Sequence, residues 1–327
     1  MTRLEIRYDL RSPVEVGVGA ADRYDAALEQ IEWAEALGFK AVTLSEHHGT
    51  IDGYLPSPIV FGAAVAARTT KIRIRIAAIV ASLHDPLRVA EDIAVLDQLS
   101  RGRVELVVAN GYVEPEFAMF GKELSGRVGA VTEMISTLKA AWSGEPFEYR
   151  GRTARVTPRP FSDPRPAIYL GGSSPGAARR AARIADAFFP SDGTYWDTYR
   201  QALIDAGGPD FGNFPPVGPR FVHIANDVDE GWEEVGSFVA RDRNSYGTWA
   251  EQAGIDTGHR PVVSDDLGND LRGDPEYVVV TPSQCVELIA RLGPSGTLPF
   301  NPMMGGLTPA SAWRSLRLFE SEVLPHL

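Results

Sequence analysis

The sequence predicts an α/β protein, a (β/α)8 TIM barrel, and three observations carry that prediction. Short apolar runs alternate strictly with longer amphipathic stretches, the pattern of strands each followed by a covering helix. Eight such units follow one another along 327 residues, a length that suits one large domain. Apolar residues make up 44% of the chain and charged residues 23%, so there is material for a buried core and no reason to expect disorder.

The units read as follows. Leu4, Ile6, Tyr8 and Leu10 alternate along strand one (Leu4–Leu10). Asp22 caps a helix over Tyr24–Leu37, which stops at Gly38. Ala41–Leu44 is a short buried second strand, and a polar stretch separates it from a helix over Pro58–Arg68. Ile72–Val80 is the third strand. Asp85-Pro86 opens the next helix with a cap and a proline at its first position, and Ser100-Arg101-Gly102 stops it after Leu99. Strand four, Val104–Ala109, leads to a helix over Arg127–Trp142, after which residues 143–166, rich in Pro, Gly, Arg and aromatics, suggest a hairpin excursion. Ala167–Leu170 is strand five, with a helix from Pro175. Ala187–Phe189 and Arg220–Ala225 are strands six and seven, followed by helices over Trp196–Ala206 and Val228–Tyr246. The polar residues 247–280 then form a predicted mobile lid between units seven and eight. Strand eight, Leu298–Met303, and a helix over Ala310–Val323 complete the barrel, a single domain over 1–327.

Charge narrows the function. Acidic residues outnumber basic ones 43 to 32, a net charge of −11, and no Lys/Arg run reverses it locally. Such a field repels nucleic acid, while a local cluster of donors can still take an anionic small molecule. The lone Cys285 excludes an intrachain disulfide and a Cys-rich zinc site. The charged N-terminal residues carry no apolar signal core, and the longest apolar run, Ile59–Ala67, is too short to cross a bilayer. The expectation is a soluble, cytoplasmic protein.

In a barrel of this class the chemistry sits where the strands end. Strand two is followed by Glu46-His47-His48. Successive side chains past a strand point to opposite sides, so at most one of His47 and His48 faces the barrel mouth. A histidine there suits acid–base work near neutral pH, cofactor contact, structural hydrogen bonding or metal ligation. No His-x-His exists, and His84, His223, His259 and His326 fall at no obvious set of strand tips, so no metal is expected. Ala77-Ala78, at the end of strand three, leaves room for a flat ligand against the backbone, or serves as core. Asn110-Gly111-Tyr112 follows strand four, with Glu116 and Phe117 behind. After strand five, Gly171-Gly172-Ser173-Ser174-Pro175-Gly176 enters a helix carrying Arg179 and Arg180, a combination that suits a phosphate. The turn matches neither the Walker nor the dinucleotide fingerprint, and a plain serine-capped βα turn would read the same way. Tyr112, Phe117, Tyr195 and Trp196 are candidates to line a pocket for an apolar or aromatic ligand, or to pack.

The runs Leu44–His48, Ile76–Val80, His84–Asp92 and Leu96–Arg103, with Asn110-Gly111-Tyr112, Phe120-Gly121, Arg127, Gly171–Gly176 and Met304-Gly305-Gly306, resemble the bacterial luciferase-like monooxygenase family. The resemblance implies a barrel that binds reduced flavin at its mouth. His47 would assist the flavin–oxygen chemistry with His48 in support. Ala77-Ala78 would form a cis peptide beneath the ring system, and Ser173, Ser174 and Gly176 would take the phosphate. Glu46, Asn110, Gly111 and Gly172 complete the implied cofactor site. Luciferase itself has a Cys-Arg pair where Ala109-Asn110 stands and an acidic residue at Ser173, so light emission is not expected. The implied cofactor is reduced FMN, with F420 as the alternative. The implied partners are a flavin reductase, since no NAD(P)H fingerprint is present, and a second copy in a homodimer. The expected activity is oxygenation of a small apolar or carbonyl substrate with O2. F420-dependent hydride transfer, a non-catalytic flavin-binding barrel and a metal-dependent hydrolase are the rival readings.

Overall fold

The computed structural model describes residues 1–254 and 271–327. Along the chain the elements are β1 (Arg3–Tyr8), α1 (Ala20–Ala36), β2 (Ala41–Leu44), α2 (Pro58–Arg68), β3 (Arg73–Val80), α3 (Pro86–Ser100), β4 (Val104–Ala109), α4 (Glu114–Met119) and α5 (Arg127–Ala141). There follow β5 (Phe147–Tyr149), β6 (Arg152–Ala154), β7 (Ala167–Gly172), α6 (Pro175–Ile184), β8 (Ala187–Pro190), α7 (Trp196–Asp205), β9 (Phe221–Ile224), α8 (Val228–Gln252), β10 (Tyr277–Val280), α9 (Pro282–Leu292), β11 (Thr297–Phe300) and α10 (Pro309–Leu318). The chain divides into two units, one of residues 1–43, 47–56 and 215–327, the other of residues 44–46 and 57–214.

In the first unit β11 pairs parallel with β1, Leu4 opposite Leu298 and Ile6 opposite Phe300, and β2 lies on the other side of β1. Leu4, Ile6 and Tyr8 are buried by the period-two alternation that the sequence displays. Behind the strands Phe39, Phe300 and Phe319 meet with ring centroids 5.0–5.8 Å apart. Arg23 of α1, fully buried, donates to the carbonyls of Gly306 and Leu307 at 2.7 and 2.8 Å and so ties the helix to the turn beyond β11. Helix α1 begins at Ala20 under a Gly19 cap, ahead of the expected start. Asp22 lies inside its first turn, where a carboxylate still complements the helix dipole.

In the second unit β3, β4, β7 and β8 pair parallel in that order. Ile74 and Ile76 of β3 pack beneath α2, where Gly62 leaves the space: a Cβ there would come within 3.3–3.4 Å of Leu96, Ile74 and Ile76. Asp85 caps α3 by accepting from the Leu87 and Arg88 amides. Arg103, buried at the start of β4, donates to Ser100, Ile72, Ala66 and twice to Thr69, closing off the loops before β3 and β4. Within 143–166, β5 and β6 form an antiparallel hairpin.

Three strands in one unit and four in the other make seven parallel strands, and all eight expected strands are present. The expected eight-strand closure differs at strand seven. β9 pairs in parallel with β10, Phe221 opposite Tyr277 through Ile224 opposite Val280, in a separate two-stranded ladder. β10 comes from within the segment expected to be a lid. Its β-branched Val278-Val279-Val280 run suits a strand more than a loop. At the other end of that segment α8 runs on to Gln252, because no proline or cap interrupts it after Tyr246 and Gly247 and Ala250 are buried. The remainder of the expected lid, 255–270, lies outside the described residues. Among the described residues no helix is long and apolar enough to cross a membrane.

Candidate active site

In the second unit the site candidates gather at the ends of β2, β3, β4 and β7. Glu46, wholly buried, places one carboxylate oxygen 2.7 Å from His84 Nε2 and accepts the Val80 amide with the other at 3.2 Å. It thereby fixes the end of β3 against the end of β2. Burial acts to lower the His84 pKa, but the hydrogen bond and charge of Glu46 outweigh it and hold the imidazole above its ordinary value.

Two residues before Val80 on β3, the Ala77–Ala78 peptide is cis, as the resemblance implies, and the pairing with β4 shifts register there. Gly111, past β4, has φ 71°, and a Cβ on it would stand 2.5 Å from Val80 Cγ1 and 2.9 Å from Phe117 Cε2. Glycine is therefore required by both conformation and contact. Phe117 is 1% exposed and packs with Val80 and Leu83, which makes it the backing of this corner and leaves Tyr112, half-buried, at its surface. Asn110, half-buried, keeps a buried Oδ1 with no hydrogen-bond partner among the described residues.

After β7, Ser174 Oγ accepts the Ala177 amide at 3.2 Å and caps α6, with Pro175 at its first position. Ser173 and Gly176 are exposed beside this helix start, and Gly172 packs so closely on Ala177 that a Cβ would be 2.6 Å away. Trp196 donates to the Gly212 carbonyl and packs on Tyr199 and Phe214, so it anchors α7; Tyr195 precedes it, half-buried. An orphaned buried acceptor, a floor of two alanines and a capped helix start fit a flat heterocycle that bears an N–H and a phosphate.

In the first unit His47 sits in an aromatic cage. It stacks on Trp249 at 4.3 Å and 28° and meets the edges of Tyr54 at 4.7 Å and Tyr246 at 5.6 Å. The two phenol oxygens are 2.9 Å apart. Arg11, 1% exposed, lies behind the cage, its guanidinium 4.8 Å from the Tyr54 ring and 5.6 Å from the Trp249 ring. It donates to Asp52 at 2.7 Å and Ser245 at 2.9 Å and stands 3.5 Å from Asp9. Burial pushes the Asp9 carboxyl up, against the pull of Arg11 and with the nearby Asp242 adding to the rise. Arg220 covers Tyr246 at 4.1 Å and reaches Asp242 at 3.1 Å, where Tyr277 also donates. Arg220 and Arg11 hold Asp242 below the usual carboxylate range in spite of its burial. His48 is half-buried in the same unit.

Sequence reading missed Arg11, Tyr54, Tyr246, Trp249 and Arg220. The sequence signals them weakly: Arg11 and Arg220 are charged residues beside the apolar runs of β1 and β9, while Tyr54, Tyr246 and Trp249 lie in polar or helical stretches away from any strand end.

The chain matches the family model described as luciferase-like monooxygenase over residues 7–297. It is 28% identical to the FMNH(2)-dependent dimethylsulfone monooxygenase of Pseudomonas fluorescens, over 71% of this chain and 66% of that protein. It is 26% identical to an F420-dependent glucose-6-phosphate dehydrogenase of Microbacterium testaceum, over 96% and 98%. Against the first curated relatives the match spans about half of their length, 58% and 46%. Among solved structures, the oxygenating constituent of 3,6-diketocamphane monooxygenase from a Pseudomonas putida plasmid, in complex with FMN, shares the fold with a TM-score of 0.73 at 24% identity over 99% of both chains.

Proposed function

The chain belongs to the luciferase-like monooxygenase family, and from that membership we propose that it is an oxygenase component that takes reduced FMN from a separate reductase and oxygenates a small organic substrate with O2. The observation that carries this reading is Asn110 Oδ1, a buried acceptor with no hydrogen-bond partner among the described residues, beside the close-packed Gly111. An acceptor left in that state costs about 1–3 kcal/mol, which a heterocycle N–H recovers.

Reduced flavin, when bound, supplies the electron pair that activates dioxygen. Ala77 and Ala78 form the floor for its ring. The Ser173 hydroxyl and the amides at the start of α6 take its phosphate, Gly172 and Gly176 allow close approach, and Ser174 keeps the helix start in shape. Glu46 acts one step removed, holding Val80 and His84 so that the end of β3 stays in place. His47 takes and returns a proton at a ring nitrogen, its ring plane set by the stack on Trp249.

Anaerobic titration with reduced FMN and, in parallel, reduced F420 tests this. Tight FMN binding followed by substrate-coupled oxygen uptake is expected. F420 binding with no oxygen uptake moves the chain to hydride transfer, a reading favoured by its full-length likeness to an F420-dependent dehydrogenase.

A further inference from the structure

The walls of the His47 cage come from distant parts of the chain. Tyr54 stands in the loop over 47–56, whereas Tyr246 and Trp249 stand near the end of α8. The main chain of His47 is held independently of them. Its amide donates to the Leu55 carbonyl at 3.3 Å, and the Leu55 amide donates to the Asp9 carbonyl at 2.9 Å. The plane of the ring is therefore set by the walls, and Trp249 lies in the last turn of α8, where helices fray.

Arg11 joins the two walls. Its Nη1 donates to Asp52 at 2.7 Å, two residues before Tyr54, and to Ser245 at 2.9 Å, one turn before Trp249. Ser245 gives its own hydroxyl proton to the Arg241 carbonyl, which leaves a lone pair for Arg11. The guanidinium also lies 4.8 Å from the Tyr54 ring and 5.6 Å from the Trp249 ring. Asp9 and Asp52 balance its charge, which is 1% exposed. The hydrogen bond between the Tyr54 and Tyr246 hydroxyls spans the same gap in front of it. A lysine ammonium would keep the charge but has neither the planar fork nor a face to lay against two rings.

We infer that Arg11 is the positioning residue for His47: by tying the loop over 47–56 to α8 it holds Tyr54 and Trp249 against the imidazole and so sets the plane of that ring. This deepens the proposed function and rests on it only in giving His47 a proton to move; the placement of the ring is a property of the protein alone.

The test is read first on the flavin-free protein, by NMR of ring-labelled histidine, with His47→Ala identifying the His47 signals. A stacked indole displaces imidazole ring-proton signals upfield. In Arg11→Lys the His47 signals should move toward those of an unstacked ring, while the signals of His223, buried in the same unit, stay in place. Ser245→Ala cuts the tie to α8 and leaves both carboxylates paired. It should move the His47 signals in the same direction by less, and add little to Arg11→Lys. Loaded with reduced FMN, Arg11→Lys should change the rate of oxygen uptake about ten- to hundredfold, in the same direction as His47→Ala. His47 signals that stay in place in Arg11→Lys overturn the inference. His47 and His223 signals that move together also overturn it, since Arg11 would then be a general support of the unit. Should Arg11→Lys fail to fold, Ser245→Ala decides, and unmoved His47 signals in it overturn the inference. If the ring is released in Arg11→Lys but oxygen uptake is unchanged both there and in His47→Ala, only the proton-transfer reading falls.

Discussion

Replacing Gly111 by alanine separates conformational strain from collision at the heart of the candidate cofactor site. With φ at 71°, any L side chain there costs about 1–2 kcal/mol. The added methyl would also stand 2.5 Å from Val80 Cγ1 and 2.9 Å from Phe117 Cε2. Phe117 is buried and cannot swing into solvent, so forced repacking adds about 1–3 kcal/mol. Reduced freedom of the unfolded chain returns about 0.4–1 kcal/mol. The net loss is about 1–4.6 kcal/mol, and at about 2 °C per kcal/mol for a chain of this size the melting temperature should fall by about 2–9 °C. Gly121→Ala is the matched control, since its φ is 63° and nothing lies within 4 Å of the added Cβ. It should lose only the strain term. Thermal melts followed by circular dichroism, with reduced-FMN affinity measured on both proteins, decide the matter. The collision argument is refuted if the two variants melt together and bind flavin alike.

Other substitutions address the remaining parts of the site. His47→Ala should leave reduced-flavin affinity nearly unchanged and cut turnover by about 10²–10⁴; equal turnover would remove His47 from proton transfer. Glu46 raises the His84 pKa, so the pair contributes stability that is present below the ordinary histidine value of about 6.5 and is lost as pH rises through the higher folded value. The melting temperature should therefore decline on going from mildly acidic to alkaline pH in the unaltered protein and decline less in Glu46→Gln, with the His84 ring titration read by NMR. Ser174→Ala removes the cap of α6 and should cost about 1 kcal/mol of stability together with flavin affinity, whereas a stability loss with undiminished affinity would separate the cap from the phosphate.

The fold was largely legible because its signals are local. Asp85-Pro86, Ser174-Pro175 and the alternation of β1 are each written within a few residues, and each appears where the sequence places it. The misreadings occurred where local composition and tertiary packing disagree. Tyr277–Val280 is a strand-forming run in a polar neighbourhood, and the neighbourhood dominated the reading, although β9 offers it an edge to pair with. Helix α8 continues through Gly247 because that glycine is buried, which sequence alone does not display.

The candidate site divides in the same way. Glu46, the alanine pair, Asn110-Gly111 and the serine turn each follow a strand and can be found by looking there. Tyr54 and Trp249 lie almost two hundred residues apart, and only folding brings both onto His47. Arg11 escaped because a buried arginine beyond a strand resembles a solvated one until its partners Asp52 and Ser245 are seen.

The stack of His47 on Trp249 gives the protein an optical probe of its own acid–base state. A protonated imidazole quenches indole emission far more strongly than a neutral one, and at 4.3 Å the two rings are close enough for this quenching to be strong. A fluorescence titration, compared with the Trp249→Phe protein to subtract the other indoles, therefore reports the charge on His47 without label or turnover.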